Sequence, residues 1–391
     1  MTVADVDPAV WGVRAPSVAG LERELMRVRR GRAAHSGVGA PVGVAHEQVA
    51  TVARAAVVNI VVMATREAHA LRAASTISQL ALRHPSRAIV VLADRHPDPA
   101  SPRAIELHAQ LPSIDRYEQI HYEQILVRAR GEVAERLTSG IVPRLVPDLP
   151  LFVWWTGTPP IGERHFEELV ALADRLLIDS ADFARPEAML PELGRLCVLG
   201  PKHCALTDLN WARLTAWREL LTQFFDVPIW RALLPAIDGV RVSFAVDADG
   251  REIHPSQALL FVGWLAARLG WLPAERMAPS EAGGLLFAMR RADGAKVRVR
   301  VRPRFERGME EGDVAGIRVE GEREGRRSEF RIRCDGRRYA SLIVRQEGRV
   351  SAERIVPLPP TDVVELLGEE LTILASDRMY EDALALLLTL S

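Results

Sequence analysis

Two closely spaced apolar runs limit this chain more than any other feature. "AAVVNIVVMA" (Ala55–Ala64) and "RAIVVLAD" (Arg87–Asp94) are continuous and rich in β-branched residues, without the polar alternation of a half-solvated strand. Each reads as a strand covered on both faces. Between them, "REAHALRAASTISQLALRH" (Arg66–His84) repeats apolar residues at helical spacing, with Ala70, Leu71, Ala74, Ile77, Leu80 and Leu82 on one broad side. Parallel neighbours need a crossover, and strand–helix–strand in this order supplies one.

The alternation continues. "QIHYEQILVRAR" (Gln119–Arg130) reads as a third strand, alternating enough to place it toward an edge. "GEVAERLTSGIVPRLV" carries a helix. "LPLFVWWTG" (Leu149–Gly157) is a strand, "ERHFEELVALAD" a helix, "RLLIDSADF" a strand and "PEAMLPELGRLC" a helix. Residues 47–206 are therefore expected to form a doubly wound, mostly parallel, Rossmann-like α/β domain. Ahead of it, residues 1–46 read as an arm: a short charged amphipathic helix (Leu21–Arg32), then a small, glycine-rich linker.

From residue 207 the grammar changes. "PSQALLFVGWLAARLGW" (Pro255–Trp271) is a strongly apolar helix, interrupted by Arg268 and better suited to a core than to a bilayer. Alternating segments follow, "GLLFAMRRAD", "AKVRVRVRPRF", "GIRVEGERE", "SEFRIRCDG" and "RRYASLIVRQ", divided by turns that hold Gly or Asp. These predict an antiparallel sheet. Two helices close the chain, so residues 207–391 are expected to form an α+β domain.

Several function classes lack support. "GVGAPVG" (Gly37, Gly39, Gly43) precedes the first strand and lacks dinucleotide-fingerprint spacing, so it reads as linker. No Walker A or nucleophile-elbow sequence occurs. Cys197, Cys204 and Cys334 form neither an even disulfide framework nor a repeated metal-ligand pair. No catalytic residue, cofactor or metal is expected. Three cysteines, no basic leader ahead of an apolar core and apolar runs too short for a bilayer suggest a cytoplasmic protein. A net charge of −1 gives no reason to expect nucleic acid or membrane as a partner.

Two regions remain as candidate sites. Loops at the carboxyl ends of parallel strands bind ligands in such sheets. Here they offer Arg66, Arg95 and His96 to an anion, with Thr156, Thr158, Asp179 and Asp182 nearby in the same class of loop. Turn and cap chemistry uses the same residue types. The second region is Met289–Arg345, with 17 Lys and Arg against 10 Asp and Glu. Arg298, Arg300 and Arg302 fall on one strand face, and Arg331 and Arg333 on another strand's. Either this is a half-solvated sheet neutralised by Glu320, Glu322 and Glu324, or it docks an acidic partner or phosphate-bearing ligand.

"DLNWARLTAWRELLTQFFD" (Asp208–Asp226) reads as one helix, capped by Thr207 or Asp208. Trp211, Leu214, Trp217, Leu220, Leu221, Phe224 and Phe225 cover about half its circumference. A wide buried face suits a helix placed where the two halves of the chain meet. Together with "LPLFVWWTGTPP" and "RLLIDSADF", this helix resembles the OpcA family, the glucose-6-phosphate dehydrogenase assembly proteins. "VVMATREAHALRAASTISQLALRHPSRAIVVLAD" looks like that family's first strand–helix–strand. The resemblance implies a non-catalytic partner of glucose-6-phosphate dehydrogenase that supports NADPH production, with no obligatory small-molecule ligand. Thioredoxin-linked control, which the family suggests for some members, finds no matching cysteine pair here. The alternative class is a sugar-phosphate- or nucleotide-binding protein or enzyme that uses the strand-end loops.

Overall fold

A computed structural model describes residues 11–13, 57–81, 83–94, 105–110, 123–130, 141–142, 145–247, 254–281, 283–336, 338–359, 362–373 and 375–390. The expected arm helix Leu21–Arg32, the helix in "GEVAERLTSGIVPRLV" up to residue 140, Arg95 and His96 lie outside them. The chain divides into two units, residues 1–178, 203–205 and 363–374 in the first, and 179–202, 206–362 and 375–391 in the second.

The first unit is built on a sheet whose strands are β1 (Trp11–Val13), β2 (Val58–Ala64), β3 (Ser86–Asp94), β4 (Ile105–Gln110), β5 (Glu123–Arg130), β6 (Leu151–Trp155) and β7 (Arg175–Ile178). β8 (Ala205–Asp208) completes the order β1-β4-β5-β3-β2-β6-β7-β8. The run from β5 to β7 is parallel, while β4 and β1 are antiparallel additions. β5 therefore lies inside the sheet rather than near an edge, because "IELHAQ" supplies an unforeseen strand beside it.

Every residue of β2 is buried, as its apolar run requires. Its one polar member, Asn59, binds the turn before β6. Its Nδ2 donates to the Val146 carbonyl at 2.9 Å and its Oδ1 accepts from the Val146 amide at 2.8 Å. The helix Glu67–Leu80 packs on β2 and β3 and is met by the late helix Val363–Glu370. A Cβ on Gly368 would stand 3.1 Å from Leu80 Cδ2, so this glycine permits the close approach.

The second unit holds a sheet of β9 (Ile237–Val246), β10 (Leu272–Pro279), β11 (Leu285–Arg290), β12 (Lys296–Phe305), β13 (Val314–Arg323), β14 (Arg326–Asp335), β15 (Tyr339–Gln346) and β16 (Arg349–Pro357). The order is β10-β11-β12-β9-β13-β14-β15-β16. All neighbours are antiparallel except β9 and β12, so the sheet is mixed. Val240, Val242, Val297, Val299, Val301, Val319 and Phe330 are buried on one face. Phe224, Phe225 and Trp230 cover Phe330, at ring-centroid distances of 5.3, 4.9 and 5.9 Å.

Helices Pro186–Leu199 and Ser256–Arg268 pack on helix Arg378–Leu388 at very short range. A Cβ on Gly194 would lie 2.7 Å from the Leu384 carbonyl oxygen, and one on Gly263 2.8 Å from that of Ala383. The segment Asp208–Asp226 is two helices rather than one, Leu209–Arg213 and Thr215–Phe225. The break falls at Leu214, whose amide bonds to Trp211 in a tighter turn. All seven apolar residues of its expected face are buried. Trp211 Nε1 donates to Asp377 at 2.7 Å, its ring lies 5.3 Å from that of Tyr380, and the Arg218 guanidinium sits 3.6 Å over it. These partners all belong to the second unit.

Candidate functional site

Strand alternation puts valines on one face of β12 and arginines on the other. The register carries the arginine pattern across its neighbours. Arg300 lies opposite Arg241 of β9, Arg241 opposite Arg318 of β13, and Arg318 opposite Arg331 of β14. Four arginines thus stand side by side on four adjacent strands. Like charges directly opposite are unfavourable in a sheet. One residue pair along, the row reads Arg302, Ser243, Gly316 and Arg333, with arginines at its ends and small residues in its middle.

Part of this charge is neutralised. Arg318 pairs with Glu320 at 2.8 Å and Glu329 at 2.7 Å, and Arg331 pairs with Glu329 at 2.8 Å. Arg327 reaches Asp238, and Arg304 reaches Glu306. Among the described residues, Arg241, Arg298, Arg300, Arg302 and Arg333 have no ion pair. Glu320 and Glu322 do not face β12 as neighbours, because β9 lies between β12 and β13. Glu324 pairs with its own neighbour Arg323. Burial, then the charges of Arg302, Arg318 and Arg300, hold the Arg241 guanidinium below its ordinary pKa.

Arg241, Arg304 and Arg318 belong to this face but are absent from the sequence expectation. For Arg241 the missing element was β9. Its alternation of Val240, Val242 and Phe244 with Arg241 and Ser243 was the available signal.

The strand-end residues have separate environments. Arg66 is exposed, and its carbonyl caps the helix that follows. Thr156 is buried and donates through Oγ1 to the Met63 carbonyl at 3.1 Å. Thr158 is exposed, and it and the half-buried Asp182 have partners. Asp179 accepts from Arg213 through both carboxylate oxygens, at 2.7 and 2.8 Å, and caps the short turn Ser180–Asp182.

Beside that pair lies a buried polar group that sequence patterning missed. Asp208 Oδ1 accepts from the Ser180 and Asn210 amides, each at 2.9 Å, and Oδ2 from the Tyr380 hydroxyl at 3.0 Å. Asn210 Nδ2 donates to Ser180 and Ser256, and Gln257 Nε2 to Asn210 and Asp313. Burial and the nearby Asp179 charge push the Asp208 carboxyl up to about 6, against the opposing hydrogen bonds. The same burial, with Asp208 alongside, raises Tyr380 well above an ordinary phenol. These groups satisfy one another inside the fold, which is the expected condition of buried polar atoms.

The cysteines are free thiols. Burial raises Cys204 to about 11, so it is a thiol rather than a thiolate near neutrality. Among the described residues, no helix is long and apolar enough to cross a membrane, and no group of His, Cys, Asp and Glu is placed to hold a metal ion.

The fold and its surface define a two-unit protein with a Rossmann-like sheet and an arginine-faced mixed sheet. Models of the glucose-6-phosphate dehydrogenase subunit N-terminal and C-terminal domains match residues 78–195 and 204–384. The chain belongs to the OpcA family. An OpcA described as an OxPP cycle protein in Nostoc punctiforme is 34% identical over 50% of this chain and 40% of its own length. Its counterpart in Synechocystis is 25% identical over 80% and 64%, and that of Synechococcus elongatus 27% identical over 81% and 70%. The matched region thus leaves a substantial part of each relative uncovered. Among solved structures, the chain is similar to a glucose-6-phosphate 1-dehydrogenase from Mycobacterium avium, with a TM-score of 0.49 and 12% identity over 86% of this chain and 90% of that one. A levoglucosan dehydrogenase gives 0.47 and 12% over 85% and 95%. Likeness at this level says nothing of chemistry.

Proposed function

We propose that this chain is a non-catalytic assembly factor and allosteric activator of glucose-6-phosphate dehydrogenase. In that role it supports NADPH production by the oxidative pentose phosphate pathway in the cytoplasm. The observation that carries the reading is the match of both domain models to a glucose-6-phosphate dehydrogenase subunit. The arginine face supports it, because the exposed cations Arg298, Arg300, Arg302 and Arg333, without ion pairs among the described residues, on a chain of net charge −1 are suited to an acidic protein surface. Arg298, Arg300, Arg302, Arg331 and Arg333 are the proposed contacts.

Activation requires that the chain bind one conformational or oligomeric state of the dehydrogenase more tightly than others. A coupling of about 1–3 kcal/mol gives roughly 5–150-fold. The engagement of Asp179 by Arg213 also weighs against free acid–base chemistry at that loop.

The test is co-purification with the host's own glucose-6-phosphate dehydrogenase, followed by kinetics with and without this chain. A stable complex and a changed rate or substrate dependence are expected. No complex and unchanged kinetics would refute the proposal.

A further inference from the structure

We infer that the arginine face contains a discrete binding site for a small phosphate-bearing anion, centred over Ser243 and Gly316. The site is a basin of about 230 Å³, ringed by Arg241, Arg302, Arg304, Arg318, Arg331 and Arg333. This goes beyond docking a dehydrogenase, since it concerns a ligand of the chain by itself.

The basin is concave for a reason visible in the register. Ser243 and Gly316 occupy adjacent strands between Arg302 and Arg333, and both are buried. The short side chains leave a floor while the arginines form walls. A Cβ built on Gly316 would come within 4.0 Å of Arg304 Nη1, so that guanidinium overhangs the floor. Among the described residues, no carboxylate lines this basin. The neighbouring depression over Gly239 does contain one, Glu320, whose side chain leans across the glycine.

The cations at the floor are not all compensated. Arg304, Arg318 and Arg331 have acidic partners, whereas Arg241, Arg302 and Arg333 have none among the described residues. Arg241 is half-buried, and its Nε has no hydrogen-bond partner among the described residues. Burial first, and then repulsion from Arg302, Arg318 and Arg300, lowers its pKa. An anion placed between Arg241, Arg302 and Arg333 would relieve that repulsion. Guanidinium forks are matched to phosphate oxygens in two-bond geometry. The basin is smaller than the range of drug-sized pockets, about 300–1,000 Å³, which favours a phosphate or diphosphate group.

The full chain is titrated with sodium pyrophosphate by calorimetry, in chloride buffer at constant ionic strength. One saturable site is expected. The double variant Arg302→Gln, Arg333→Gln should weaken it at least tenfold, while Arg290→Gln, an exposed cation outside the basin, should match the parent. Absence of saturation overturns the proposal, as does equal weakening by Arg290→Gln, which would indicate diffuse charge. Binding of polyglutamate without pyrophosphate also overturns it, in favour of an acidic polypeptide surface.

A second measurement separates a ligand residue from a structural one. Arg241→Met should leave the ligand-free unfolding temperature equal or higher and abolish the shift that pyrophosphate produces. A lower ligand-free temperature with undiminished pyrophosphate binding overturns the assignment. None of these tests involves the dehydrogenase, so failure here leaves the assembly reading standing.

Discussion

The Arg213 guanidinium meets both carboxylate oxygens of Asp179, at 2.7 and 2.8 Å, with side chains only 12% and 13% exposed. Burial works against the arginine charge, but the charge and hydrogen bonds of Asp179 outweigh it. Removing one partner leaves the other nearly dry and uncompensated. Asp179→Ala should therefore cost about 3 kcal/mol, within the usual range for breaking a buried pair. Adding Arg213→Met should recover part of that loss. Urea unfolding of both single variants and the double variant checks this, and additive losses would contradict it.

Asp208 makes stability depend on pH. Its carboxyl titrates near 6 in the fold, against an ordinary 3.8, so the folded state holds the proton more tightly. The stabilisation is fully present below about pH 4 and is lost as pH rises through 6. Asp208→Asn keeps a neutral group there at every pH. Relative to the parent, this variant should gain stability between pH 4 and 7, on the order of 3 kcal/mol at one pKa unit per 1.36 kcal/mol. Unfolding midpoints across that range provide the measurement. Parallel curves would show that the carboxyl is not so perturbed.

Gly194 and Gly263 should resist even the smallest side chain. Alanine normally favours a helix over glycine by about 1 kcal/mol. Here the added Cβ meets a carbonyl oxygen of helix Arg378–Leu388 at 2.7 or 2.8 Å. Gly194→Ala and Gly263→Ala should each lower stability, by about 1–3 kcal/mol, because the helices must separate. Thermal unfolding decides the sign, and a stabilised variant would contradict the packing.

Charge reversal at Arg298, Arg300 and Arg302 tests the proposed docking face. All three are exposed and lack ion pairs among the described residues, so substitution by Glu should leave the fold intact. Affinity for glucose-6-phosphate dehydrogenase should fall at least tenfold, and its salt dependence should flatten. Unchanged affinity in a folded variant would place the interface elsewhere.

What the sequence revealed followed from periodicity. β2 and β3 were legible because burial on both faces demands an unbroken apolar run. β12 was legible because one solvated face demands alternation. β9 escaped notice although it alternates, and its parallel partner β12 lies across an intervening helix and hairpin. With β9 unseen, Arg241 could not be set beside Arg300 and Arg318. The Asp208 group was hidden for a related reason. Ser180, Asn210, Ser256 and Tyr380 come from segments far apart in the chain, and no local pattern ties them together.

The contact between Gly368 and Leu80 has a consequence for synthesis. Glu67–Leu80 is made before the second sheet, but the helix Val363–Glu370 that covers it leaves the ribosome only after that sheet. While the second sheet is being made, Leu80 has no such cover, and apolar surface left open in this way is where chaperones bind and aggregation begins.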